Sequence, residues 1–292
     1  MYKAVAANKR NTILIMALFV GIISAVGWAV SYYFGNTNLT YVIIAGAALY
    51  ALIQYFLASK LAVAMTGAVP IEKRDNPRLY RIVENLAITL GIPTPKVYII
   101  DDPALNAFAT GRDPKHAIVA ATTGIIEVMD DNELEAVMAH EMGHVQNYDI
   151  RVSMIAFGLV SAIGLLSDLV LRTMFFGDNR RENNNQPIML VIGLVVVILA
   201  PIAAAIVQMA VSRQREYLAD ASSAMTTRNS EALASALEKL QLNGRPMKKQ
   251  STSTAHLFFS NPLKPGFFSK LFSSHPPLED RIARLRANAN RF

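Results

Sequence analysis

The stretch EAVMAHEMGHV, Glu135 to Val145, decides how this chain is read. It sets His140 and His144 four positions apart, with Glu141 beside the first, in a protein that has only five histidines. On a helix, residues four apart share one face at about 5–6 Å between Cβ atoms. The helix is signalled upstream, where Asp130 followed three positions later by Glu133 makes a capping box. Leu134, Val137, Met138 and Val145 then supply an apolar stripe. Two imidazoles on adjacent turns can each reach one zinc ion at about 2.0–2.1 Å. Glu141 sits one position round the helix, where its carboxylate can reach a water held by that metal rather than the metal itself. The motif predicts a metal site and a general base on one helix, and it still lacks a third ligand.

Composition narrows what that ligand can be. The chain has 292 residues, 52% of them hydrophobic, 17% charged, and no cysteine. Disulfides, thiolate catalysis and cysteine-type zinc sites are thereby excluded, so a metal must sit on histidine and carboxylate. The formal net charge of +6 is not gathered into a basic run interleaved with aromatics. The positive balance therefore fits an anionic membrane surface and no nucleic acid.

Four segments have the roughly twenty apolar residues that a bilayer crossing needs: about 12–34, 39–58, 154–176 and 188–211. The first is too long in its apolar core for a cleaved signal peptide, and a second span follows at once, so it reads as a retained anchor. Lys3, Lys9 and Arg10 precede the first span, and Lys60, Lys73, Arg74, Arg78 and Arg81 follow the second. The positive-inside rule then sets both termini and the stretch 60–153 in the cytoplasm, although Arg172, Arg180 and Arg181 on the outer side oppose it. Asp168 inside the third span has Arg172 four residues on and reads as a structural ion pair. Pro201 reads as a kink in the fourth.

Between the hairpins, Pro77 to Leu90 has helical periodicity, with proline at its start and Gly91 after its end. Lys96 to Ile100 reads as a strand, and 116–126 contains another. Beyond the fourth span, Ser230 to Leu240 reads as a helix capped by Ser230. Residues 243–277 read as a long loop or lid touching the membrane surface, or equally as a linker. Neither soluble half, 61–153 or 212–292, is large enough to complete a core alone, so together they make one domain interrupted by the second hairpin at 154–211, with 1–60 forming the first.

The third ligand is expected in SRQREYLADAS, where the fourth span emerges just as the HExxH helix runs into the third. Two helices leaving one membrane face side by side bring Glu216 toward the histidine pair. Asp220, four residues on, is suited to accept the free N–H of a ligating imidazole. Asp149 is the next candidate should Glu216 not close the site.

HExxH near one membrane span and RQREYLAD, 213–220, beyond another resemble the HtpX family of membrane zinc endopeptidases, heat-shock-associated bacterial proteases related to the CAAX prenyl endopeptidases. NAFATG at 106–111 and SHPPLEDRI at 274–282 also match that family's pattern, and so does the four-span layout. Residues 177–187 and 243–274 have no counterpart in it. The resemblance implies one zinc per chain on His140, His144 and Glu216, with Glu141 as catalytic base. It further implies a cytoplasmic active site in a multi-pass protein of the cell membrane, and membrane-protein quality control under stress with misfolded membrane proteins as substrates. The expected fold is mainly α with a small β-sheet: four transmembrane helices plus a zincin-like protease domain assembled from two discontinuous segments.

Three further residues join the expected site. Asn106 would anchor a peptide carbonyl while the adjacent backbone pairs with substrate as an added strand. His275, before two prolines, and Arg281, in the last helix, would stabilise the oxyanion of the tetrahedral intermediate. The alternatives from other classes are a membrane transporter with an incidental HExxH and an inactive zinc-binding scaffold. The first would put polar pairs in mid-span, where only Asp168 stands, and the second has no use for Glu141.

Overall fold

The computed structural model describes residues 2–33, 35–176, 213–251, 253–263 and 276–289. Apolar length builds one side of the molecule. Helices α1 (Tyr2–Tyr33) and α2 (Asn38–Thr66) pack against each other, and α2 ends at Gly67, whose left-handed φ of 74° lets its N–H return to Val63 O. Ala4–Ala25 and Thr40–Thr66 are long and apolar enough to cross a membrane. Ile13, Leu14, Leu18, Leu49 and Leu52 face outward on them, the pattern of helices whose surroundings are apolar. The expected third span falls inside α6 (Asp149–Phe176), which is helical throughout and packs on α1 and α2. The side chains of Asp168 and Arg172, the fourth span at 188–211 with Pro201, and the loop 177–187 lie outside the described residues.

The other side is the helix-rich body expected, with a four-stranded sheet in the order β1-β2-β4-β3. The strands are β1 (Val69–Pro70), β2 (Lys96–Ile100), β3 (Ala107–Thr110) and β4 (Ile118–Thr122). β2 and β4 run parallel, while β1 and β3 flank them antiparallel. The two central strands are those the alternating and β-branched runs predict. α3 (Pro77–Leu90) starts with Asn76 capping Leu79 N and stops at Gly91 in the left-handed conformation, as its proline and glycine foretell. A short α4 (Thr123–Val128) leads to α5 (Asp131–Gln146), which carries the histidines.

Both bonds of the capping box are present: Glu133 N donates to Asp130 Oδ1 and Asp130 N to Glu133 Oε2, each at 2.9 Å. Glu133 also accepts from Ser235 Oγ and Lys239 Nζ, each at 2.6 Å. Those donors sit on α8 (Ser230–Asn243), so one carboxylate caps α5 and ties α8 to it. The cap of α8 is Asn229, whose side chain accepts from Ala232 N, and Ser230 is its first helical residue. Asparagine and serine are near-equal caps, so the choice went to the residue whose backbone stays non-helical. α7 (Arg213–Thr227) and α9 (Leu278–Ala287) complete the described helices. One hydrophobic core draws Leu79, Val83, Val97, Val119 and Leu134 from the first half together with Ala224, Leu233, Leu237 and Leu285 from the second.

The described part of 243–277 packs into the body of the protein. Ala255, Leu257, Phe258 and Phe259 are buried, and Phe258 and Phe259 meet β3. The second phenylalanine pair, 267–268, lies outside the described residues.

Candidate metal centre

α5 and α7 approach closely because small residues line their contact. A Cβ on Gly143 would stand 3.4 Å from Ser222 Cβ and 3.8 Å from Ala219 Cα. Ser223, fully buried, donates from its hydroxyl to Ala136 O at 2.7 Å. This close approach carries Glu216 to the histidine pair. One donor atom from each of His140, His144 and Glu216 lies within 4.8 Å of the others. His140 Nε2 and His144 Nε2 are 3.2 Å apart, and Glu216 Oε2 and Oε1 stand 3.7 Å and 3.4 Å from them respectively.

What orients the rings is as informative as the distances. His140 Nδ1 is 3.0 Å from Asp220 Oδ1, and His144 Nδ1 is 2.9 Å from Asp149 Oδ2. Each carboxylate accepts an N–H from the Nδ1 beside it, which fixes the tautomer and leaves the Nε2 lone pair facing inward. Two lone pairs and a carboxylate then converge on one point. Such a cluster of acceptors is repulsive until a cation or proton stands among them, and its nitrogen and oxygen atoms are ones that zinc accepts. Burial opposes charge on His144, yet the carboxylates of Asp149 and Glu216 hold its pKa well above the ordinary histidine value. Burial and the neighbouring Arg281 push His140 the other way, down to about 4, against the pull of Asp220.

Asp149, the fallback should Glu216 not close the site, stands beside the outer nitrogen of His144 as Asp220 stands beside that of His140. It reaches back because Tyr148 takes a left-handed φ of 62°, a conformation unusual for an aromatic residue. That corner ends α5 and starts α6 with Asp149 turned toward His144.

Arg281 lies in the same cluster. It is fully buried and forks onto Asp220, Nε to Oδ2 at 2.9 Å and Nη2 to Oδ1 at 2.6 Å. Its guanidinium stacks over the ring of Phe259 at 5.1 Å, and Phe259 packs edge-on against His140 at 5.0 Å between centroids. Burial alone would lower the arginine's pKa, but Asp220 and Glu216 raise it, while Arg281 holds Asp220 below the usual carboxylate range against burial. Removing one member of such a buried pair typically costs about 3–5 kcal/mol. Nη1 has no hydrogen-bond partner among the described residues and stands 3.7 Å from Glu216 Oε2. Glu141, next to His140 in α5, is buried as well.

Of the two remaining expected residues, only Asn106 is described. His275 lies outside the described residues. Asn106 is buried at the start of β3 with its amide turned to Ser260: Nδ2 donates to Ser260 O at 2.8 Å and Oδ1 accepts from Ser260 N at 3.0 Å. Phe259 N donates to Ala107 O at 2.8 Å, and Phe258 forms an antiparallel bridge with Phe108. The outer edge of β3, where a substrate strand was expected, is paired with residues 258–260 of this chain. Sequence reasoning also missed Phe259, whose only signal was a phenylalanine pair in a segment rich in loop-forming residues.

Residues 73–289 match peptidase family M48. The chain is 58% identical over 292 residues to the protease HtpX homolog of Tropheryma whipplei (strain Twist), covering 100% of both. It is 46% identical over 295 residues to that of Lactobacillus acidophilus, covering 98% of this chain and 99% of the relative. The crystal structure of S. mikatae Ste24p has the same fold, with a TM-score of 0.52 at 22% identity over 98% of this chain and 67% of that one.

Proposed function

The chain belongs to peptidase family M48, among the HtpX-type proteases, and we propose from that membership and the site that it is a membrane-anchored zinc endopeptidase. Its substrates are misfolded or membrane proteins, cut at the cytoplasmic face during stress-related quality control. The observation that carries the reading is the convergence of His140 Nε2, His144 Nε2 and a Glu216 oxygen, with both outer ring nitrogens held by carboxylates. A transporter would have no use for that arrangement.

In this reading His140, His144 and Glu216 hold one zinc ion per chain. Bound there, zinc lowers the pKa of water to about 7 and polarises a carbonyl. Glu141 takes the proton from the attacking water and delivers it to the departing amine. Arg281 keeps Asp220 charged and His140 oriented, and its Nη1 is the donor available to a developing oxyanion. His275, just ahead of the same helix, is assigned to that work with it. The halves 61–153 and 212–292 form one zincin-like domain, interrupted by the hairpin 154–211 and anchored by 1–60. Four spans and the basic flanks of the first two put both termini on the cytoplasmic side.

Purified whole protein is expected to bind one zinc per chain and cleave casein. A chelator should abolish cleavage, and zinc at one equivalent should restore it. Cleavage that survives complete removal of metal would overturn the reading.

Substrate would pair with β3 where residues 258–260 now lie, so Asn106 would exchange Ser260 for a peptide group of the substrate. Peptides N-methylated at alternate positions should then compete poorly, by about tenfold for each ladder hydrogen bond lost. Equal competition by methylated and unmethylated peptides would exclude strand pairing.

A further inference from the structure

The first membrane helix reaches into the metal centre. Asn8, on α1 within the stretch Ala4–Ala25, is 3% exposed. Its Nδ2 donates to Asp149 Oδ1 at 2.6 Å and to Asn147 O at 2.9 Å. Its Oδ1 accepts from Arg215 Nη1 at 3.4 Å, and Arg215 Nη1 stands 3.8 Å from Asp149 Oδ1. The next residue, Lys9, lies over the Tyr148 ring at 4.8 Å. One turn of α1 therefore grips the corner 147–149 from two sides. That corner contains the left-handed Tyr148 and ends in the carboxylate that holds His144 Nδ1.

A carboxylate needs its second oxygen satisfied to keep one orientation. For Asp149 the donor comes from a residue 141 positions away, on an element that the soluble fold does not otherwise need for its chemistry. Burying an asparagine on an apolar helix is unfavourable unless both its polar ends are used. Here both are, by Asp149, Asn147 and Arg215, and Asp149 is the residue that meets His144 Nδ1.

We propose that Asn8 is a positioning residue for the metal centre: through Asp149 it sets the orientation of His144, and so makes the first membrane helix part of the zinc site rather than an anchor alone. The inference rests on His144 being a metal ligand, as in the function proposed for this site. Removing a carboxylate that holds a ligating histidine typically weakens metal affinity about 10–100-fold. Asn8 acts one link further out, so the expected loss is about threefold to tenfold.

The test uses the full chain in detergent, with zinc affinity measured by competition and the coordination read from the visible spectrum of the cobalt-substituted protein. Asn8→Leu keeps the side chain's bulk and removes its donor. It is expected to weaken zinc binding by about threefold to tenfold and to alter the cobalt spectrum. Thr12→Val, one turn along the same helix, where the hydroxyl bonds only Asn8 O among the described residues, should change neither. In an Asp149→Ala background Asn8→Leu should cost nothing further, because its effect passes through that carboxylate. Unchanged affinity and spectrum in Asn8→Leu would overturn the proposal, as would an equal loss in the Asp149→Ala background. If Asn8→Leu aggregates, Asn8→Ala carries the same comparison; failure of both to fold without metal would make Asn8 scaffold and overturn it too. Wild-type protein that binds no zinc would instead refute the reading of the site.

Discussion

Glu141→Gln is expected to keep its zinc and lose peptide hydrolysis by about 10²–10⁴-fold, the usual contribution of a positioned general base. The substitution is nearly isosteric and swaps a carboxylate for an amide that cannot accept a proton. Because Glu141 is not among the three converging donors, zinc content should stay at one per chain. Glu141 sits in a tightly packed helix, where Leu134, Val137, Met138 and Met142 are all buried, so the fold should hold. The measurement is turnover of a peptide or casein alongside metal analysis of the same sample. Activity within tenfold of wild type would move the base elsewhere, and loss of zinc would make Glu141 part of the metal's own shell.

The second large effect is on the metal itself. In the proposed site, Glu216→Ala removes the ligand that α7 would contribute and leaves two imidazoles on one helix. Since loss of an outer partner already weakens such sites about 10–100-fold, loss of a ligand should exceed a hundredfold and leave the purified protein largely without zinc after dialysis. Arg281 provides an internal check. Its Nη1 stands 3.7 Å from Glu216, but its fork onto Asp220 is untouched by the change, so the metal-free protein should melt near the metal-free wild type. Zinc affinity equal to wild type in Glu216→Ala would mean that another group closes the site. Asp149 could do so only by giving up His144.

Much of this protein is written locally. The capping box of Asp130 and Glu133, the proline and glycine that bound α3, the two central strands, the long apolar helices and the HExxH spacing are all signals between residues a few positions apart. Backbone preference and side-chain period act over that range, which is why they could be read in order along the chain. Glu216 and Asp220 were legible for a related reason. In a chain with 17% charge, a carboxylate pair one helical turn apart just after a long apolar run stands out.

What tertiary structure alone decided is the pairing of polar groups across long loops. Which group Asp149 would meet was open until the left-handed Tyr148 turned it toward His144 Nδ1. Arg281 could pair with Glu279 or Asp280 beside it, yet it forks onto Asp220, 61 positions away. Asn106 faced an open strand edge in prospect and is spent on Ser260, 154 positions on. Asn8 carried no signal at all, being one polar residue near the start of an apolar helix. A buried polar atom must find a partner, but any compatible atom will serve it. Sequence specifies the demand, and only the packing of distant elements, with their small residues at Gly143 and Ala219 allowing close approach, selects which partner meets it.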